Sequence, residues 1–296
     1  MSRKPAMIGN LALVGYEDIF GESISNTGGE RIVQIPLTDL YPPEFHPFHV
    51  NDDEAMLRLV DSVKEYGVRE SGIVRPRTDS GYELLSGNRR KRACELAEIA
   101  TMPVIIREMD DDLAIIIMCD SNLEQRETIL PSEKAWAFRV MMEALNHNGV
   151  KGESHSYEIM VERTGVTKTQ LFRIMRLTEL IVALLDKVDA NQLAFYPAVE
   201  LSYLSVTEQI AVADTMAAHG TKPSLSQAIR LKKMKQDGEL TVEAINCMLS
   251  EEKKPPKNEP TGSVRCRRYF PPSYSPKQID DVIVRLLAAW KSRTAV

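Results

Sequence analysis

The spacing of apolar residues changes its period once along this 296-residue chain, near residue 128, and that change limits the folds open to it. Before it, β-branched runs alternate with helical stretches: "RIVQIPLTDL", "DDEAMLRLVDSVKEYG", "GIVRPR", "YELLSG", "NRRKRACELAEI" and "MPVIIREM". In the first helical stretch Met56, Leu59, Val60 and Val63 share a face, with Asp52 or Asp53 as cap and Gly67 as stop. After Leu130 the strand signal nearly disappears. Pro131 and Ser132 open a helix carrying Trp136, Val140 and Leu145. Helical segments follow at Tyr157 to Thr164, Thr167 to Leu185, Pro197 to Leu204, Thr207 to His219, Ser224 to Lys235 and Thr241 to Ser250. The reading is an α+β multidomain chain: a small α/β domain over 30–127, then an all-α domain over 128–250. A flexible leader over 1–29 precedes them, and "EEKKPPKNEPTGS" predicts a linker over 251–268. Residues 269–296 close the chain with an amphipathic helix striped by Ile279, Val282, Ile283, Leu286, Leu287 and Trp290. A helix this short needs another surface to cover that stripe.

The net charge of -5 argues against indiscriminate coating of nucleic acid or anionic membrane and leaves local patches open. The leader has a short, interrupted apolar stretch, a poor secretory signal, and no apolar run reaches about 18 residues, so a cytoplasmic protein off the membrane is expected. Cys94, Cys119, Cys247 and Cys266 form no C-x-x-C pair and have no nearby histidine at ligand spacing, which points to reduced thiols and no metal site. His46 and His49 fall in a Pro-rich loop, and His147, His155 and His219 are isolated.

Two clusters carry chemistry. In "YELLSGNRRKRACELAEI" a strand runs through Gly87 into a helix whose first turn holds Arg89, Arg90 and Arg92. The first backbone N–H groups of such a helix face outwards at the positive end of its dipole. Gly87 permits close approach of a ligand, Asn88 is a fitting cap, and the guanidinium groups suit phosphate oxygens. The plainer alternative is a solvated face paired with Glu95, Glu98 or the aspartates at 110–112. First-turn cations oppose the dipole, however, and so favour a bound anion. In "CDSNLEQRETILPSEKAWAF" Asn122, Gln125 and Arg126 lie where one helix ends and another begins, and could turn towards a shared cleft. The alternative makes Asn122 a helix C-cap and Arg126 a surface residue. No general base can be assigned, so catalytic residues stay unknown.

"SYEIMVERTGVTKTQLFRIMRLTEL" has a helix-turn-helix pattern. Ile159, Met160 and Val161 form an apolar face, Gly165 permits the turn, and Thr167 caps a second helix on which Leu171, Ile174 and Leu177 face the core. Lys168, Thr169, Gln170 and Arg173 then face outwards, where the leading residues of a recognition helix reach base edges, and Arg176 is placed for phosphate.

The segments "GYELLSGNRRKRACELA", "MPVIIREM", "SNLEQRE" with "LPSEKAWAF", and "FYPAVELSYLS" resemble, in order and spacing, the ParB/RepB/Spo0J family of DNA-partition proteins from about Ile32 to about Leu249. The resemblance implies a ParB-like N-terminal domain and a helix-turn-helix that binds a centromere-like DNA site as a homodimer. It also implies a leader that contacts a ParA-type ATPase, here with Arg3 and Lys4, and a CTP and Mg2+ site regulating the DNA clamp. Many members use Gly-Glu-Arg-Arg, Glu-Asn-Leu-Gln-Arg and Gln-Pro-Arg segments for that nucleotide. Here the first reads Gly87-Asn88-Arg89-Arg90. The second has Ser121 for its glutamate and one extra residue before Gln125-Arg126, and the third reads His46-Pro47-Phe48. The phosphate-binding cations remain and the acids linked to metal and hydrolysis do not, so nucleotide binding is expected and at most weak CTP turnover. A transcriptional regulator of the same architecture is the second reading. A CTPase drawing its acids from Glu124 or Glu127 is the third.

Overall fold

The computed structural model describes residues 31–126, 128–147, 153–250 and 267–294. The leader, Glu127 and most of the expected linker lie outside them. The chain divides into two compact units, one running to Leu249 and one from Ser250 onward.

The first unit opens with a five-stranded sheet. Its strands are β1 (Ile32–Pro36), β2 (Leu40–Tyr41), β3 (Gly72–Pro76), β4 (Tyr82–Ser86) and β5 (Thr101–Ile106), in the order β1-β5-β3-β4-β2. β1 pairs with β5 and β3 with β4 antiparallel, while β3–β5 and β2–β4 are parallel. Successive strand residues face opposite sides, and the core obeys that rule. Val74, Leu84, Met102 and Val104 point to one side, where α1 (Glu54–Tyr66) and α2 (Asn88–Leu96) cover them with Met56, Val60, Val63 and Cys94. Ile73 and Leu85 point to the other, towards α3 (Asp111–Gln125). Asp53 caps α1 by accepting from Met56 N at 2.8 Å, and Gly67 ends it at φ +71°.

Helix α3 packs on both sides of its circumference. Leu113, Ile116, Ile117, Met118 and Cys119 are all buried in one apolar cluster with α4 (Pro131–His147) and the helices beyond. Each such side chain contributes about 1.5–3 kcal/mol relative to exposure, so the apolar core runs without a break past residue 127.

The remaining helices are α5 (Glu153–Thr164), α6 (Lys168–Met175), α7 (Val182–Asp189), α8 (Phe195–Leu201), α9 (Val206–His219), α10 (Leu225–Gln236) and α11 (Val242–Ser250). The helix expected from Thr167 to Leu185 is broken: a 3-10 turn spans Arg176–Glu179, and Leu180 and Ile181 are extended. Gln209 of α9 holds the break open. Its amide oxygen accepts from Ile181 N at 2.8 Å, and its amide nitrogen donates to Glu179 O at 3.1 Å and Leu204 O at 3.0 Å. A buried side chain distant in sequence thus supplies the partners that a continued helix would have supplied.

In the second unit α12 (Pro276–Thr294) begins after Ser275, which accepts from Gln278 N, while Gln278 accepts from Ser275 N. Along the expected stripe Ile279 is buried, Val282 and Ile283 are partly buried, and Leu286, Leu287 and Trp290 are exposed.

Candidate anion cleft and nucleic-acid interface

Strand β4 delivers the chain to Gly87, whose φ of +111° lies in the left-handed region. That backbone conformation strains any residue with a side chain, and a Cβ there would also stand 3.3 Å from Gly72 Cα, so the chain's own geometry already calls for glycine. Gly87, not Asn88, is the N-cap of α2, and no side chain caps it. Asn88 begins the helix and turns back: its Nδ2 donates to His46 Nε2 at 3.2 Å and to Leu84 O at 3.4 Å.

The arginines of the first turn part company. Arg90 spans from α2 to the chain before β3, donating through Nη1 to Glu70 O and Ser71 O, both at 2.7 Å. It is a brace, and its donors there are not available to phosphate. Arg92 pairs with Asp52 at 2.6 Å and with Glu95 at 3.2 Å. The surface-pairing alternative therefore describes Arg92, and the acids at the start of α1 offset the dipole cost that had argued for a ligand. Arg89 is left with Asp53 at 3.7 Å.

A second group faces this helix end. Arg126, just past the last turn of α3, is not on the surface: its side chain is 12% exposed and lies over the Phe48 ring at 5.2 Å. Its Nη1 stands 3.6 Å from Glu133 Oε1, while Nε and Nη2 are buried with no hydrogen-bond partner among the described residues. Burial pulls this guanidinium below its usual range; Glu133 opposes that pull and Arg89 adds to it. Two buried, unmatched donors on a cation that feels a second cation are costly unless an anion meets them. Glu133 itself is 4% exposed and accepts from His49 N at 2.7 Å, with His49 Nδ1 at 3.1 Å. Asn122 stands within the last turn of α3, donating to Met118 O at 2.8 Å, and the C-cap is Arg126.

Sequence reasoning missed His46, His49, Phe48 and Glu133 as one group. They come together only because the loop before α1 packs on the start of α4, 84 residues from His49 to Glu133. The sole local signal is the pair of histidines flanking Pro47 and Phe48.

The segment expected to form a helix-turn-helix folds as α5 and α6, two helices joined by a turn. Gly165 takes φ +66° between them, and Thr167 Oγ1 accepts from Gln170 N at 3.3 Å to start α6. Leu171, Ile174 and Leu177 are buried, as are Ile159 and Met160 on α5. Lys168, Thr169, Gln170 and Arg173 are exposed together on α6. Lys168 leans over the Tyr157 ring at 4.7 Å and Arg173 over the Tyr196 ring at 5.6 Å. Arg176 departs from its expected role: Nε donates to Ser202 Oγ at 3.2 Å, Nη2 to Ser202 O at 2.5 Å, and the group stacks on Tyr203. Asp120 of α3 and Arg163 of α5 form an ion pair that ties this element to the helix bearing Arg126.

Residues 21–123 match the model of the ParB N-terminal domain. A probable chromosome-partitioning protein ParB of Neisseria meningitidis is 28% identical over 206 residues, covering 70% of this chain and 69% of its own length. The N-terminal third of the chain is thus similar to the ParB N-terminal domain. The nucleoid occlusion protein of Listeria monocytogenes is 28% identical over 64% of this chain and 63% of its own length. Among solved structures, Caulobacter crescentus ParB, C-terminally truncated and complexed to the centromeric parS site, aligns at 20% identity and a TM-score of 0.42. That alignment covers 74% of this chain and all of the Caulobacter one. Helix α2 opens with Gly87-Asn88-Arg89-Arg90, and the residue between Gly87 and Arg89 is an amide bonded to a histidine. No helix among the described residues is long and apolar enough to cross a membrane.

Proposed function

We propose that this chain is a sequence-specific DNA-binding partition protein that reads duplex DNA through α6 and carries an anion or nucleotide cleft at the start of α2. The observation that carries the reading is the exposed leading face of α6, where Lys168, Thr169, Gln170 and Arg173 stand free of the core while Leu171 and Ile174 anchor the opposite side. Helix α6 is 8 residues long, about 12 Å, and a major groove about 12 Å wide admits it. Gln170 can meet adenine and Arg173 guanine. Kinship with chromosome-partitioning ParB and nucleoid occlusion proteins supports the same reading.

At the cleft, the unsatisfied Nε and Nη2 of Arg126 together with Arg89 favour a phosphate group, with Asn88 beside them. Arg90 and Arg92 serve the fold instead. A CTP-like nucleotide fits this charge. The absence of acids at Asn88 and Ser121 leaves no support for rapid turnover. The exposed Leu286, Leu287 and Trp290 of α12 make it the homodimerisation element, in keeping with inverted-repeat DNA sites. Contact with a ParA-type ATPase rests on the leader, with Arg3 and Lys4, which lies outside the described residues.

The test is Arg173→Ala. Against a duplex selected by the wild-type chain from a random library, affinity falls by about 1–3 kcal/mol while binding to mixed-sequence DNA changes less. Unchanged specific affinity overturns the assignment of α6.

A further inference from the structure

The side chains of Tyr196, Glu200 and Tyr203 are spaced four and three residues apart and so share one side of the α8 segment. Cations meet them from α6, from the 3-10 turn that follows it and from α10. Arg173 of α6 lies 5.6 Å from the Tyr196 ring. Arg176 and Lys232 lie 4.3 Å and 3.7 Å from the single Tyr203 ring. Lys232 Nζ is also 2.9 Å from Glu200 Oε2, and Lys235 Nζ donates to Tyr203 O at 2.7 Å and stands 3.5 Å from Glu208. Four cations thus face two carboxylates on one ridge, in a chain whose net charge is -5.

Aromatic rings ease cation crowding but do not neutralise it. A ridge with surplus positive charge, joined to the leading face of α6 through Arg173, matches a polyanion. The chemistry that lies beside a helix seated in a major groove is the sugar-phosphate backbone along the groove walls. Tyr196, 55% exposed, carries a hydroxyl that can donate to a phosphate oxygen, on the ring that Arg173 overlies.

We propose that the DNA footprint extends from α6 across Tyr196 and Tyr203 onto α10, with Lys232 contacting a backbone phosphate and Glu200 acting as a counter-charge that weakens that contact. The proposal rests on the DNA-binding reading above and adds a second, sequence-independent surface to it. Glu200 gives it a signature: removing the carboxylate strengthens binding, because it frees Lys232 and removes a like charge from the phosphates.

The experiment measures affinity for a labelled mixed-sequence duplex across a salt series, with thermal melting of each variant as a check on folding. Lys232→Gln lowers affinity several-fold and flattens the slope of log K against log salt by about one unit, whereas Lys232→Arg keeps the slope. Glu200→Gln raises affinity several-fold. If Lys232→Gln and Glu200→Gln both leave affinity and slope unchanged while Arg173→Ala still weakens the selected duplex, the ridge is overturned and the role of α6 stands. Parallel losses of affinity and melting temperature in both variants make the pair a packing device and also overturn the ridge. If the wild-type chain binds no duplex, both readings fall together.

Discussion

The His46 ring is fixed as a neutral tautomer by its two neighbours. Its Nδ1 is 2.7 Å from Phe48 O, which can only accept, and its Nε2 is 3.2 Å from the Asn88 amide nitrogen, which can only donate. Nδ1 therefore carries the proton and Nε2 is bare. Burial holds the ring below the ordinary histidine value, against the pull of the Phe48 carbonyl, and Arg126 adds to the depression. A folded-state pKa below the unfolded one means that the unfolded chain takes up the proton first on acidification. This histidine's share of stability is thus intact above the unfolded value of about 6.5 and is lost as pH falls from there towards the folded pKa. Urea midpoints measured on either side of that value will fall on acidification, and His46→Gln will remove part of the fall. An identical pH slope in the two proteins would show that the ring is not held neutral. None of this was legible in "EFHPFHV", where the histidines read as loop residues, because Asn88 arrives from another element.

At the scale of elements, helix ends are marked by signals local to the chain. Asp53 and Thr167 cap helices through their own side chains, and Gly67 and Gly165 take positive φ where the apolar period stops. The first-turn arginines were legible as a cluster but not as partners: Asp52 and Asp53 come from α1, and the carbonyls that Arg90 grips come from the chain before β3. The break between α6 and α7 escaped for the same reason, since Gln209 lies 28 residues beyond Ile181. That glutamine closes three backbone groups, so Gln209→Met, similar in size, leaves them unpaired. Chemical denaturation will show a loss of about 2–3 kcal/mol, the cost of buried backbone groups without partners. A loss under about 0.5 kcal/mol, the range of surface substitutions, would mean that the break does not depend on this side chain.

For the whole molecule, neither apolar cluster draws a residue from beyond Leu249. A chain ending at Leu249 will therefore keep the thermal midpoint of the first unit. With α12 and its exposed Leu286, Leu287 and Trp290 removed, it will sediment as a monomer and bind an inverted-repeat duplex more weakly than the full chain. A truncated chain that still sediments as a dimer places self-association elsewhere. The passage from a sheet-bearing part to an all-helical one was legible from the change of apolar period, whereas the buried circumference in the middle of α3 was not, because side chains covered all round leave no polar face there to mark the orientation.

That circumference decides how the protein can be divided. A fragment stopping at residue 127 carries Leu113, Ile116 and Ile117 out into water without the wall formed by α4, and a fragment starting at 128 leaves a trough where those side chains sat. Neither piece is a natural cutting point for expression or protease mapping. Whatever force reaches the last turn of α3 is applied to a strut shared with the helices that carry α6.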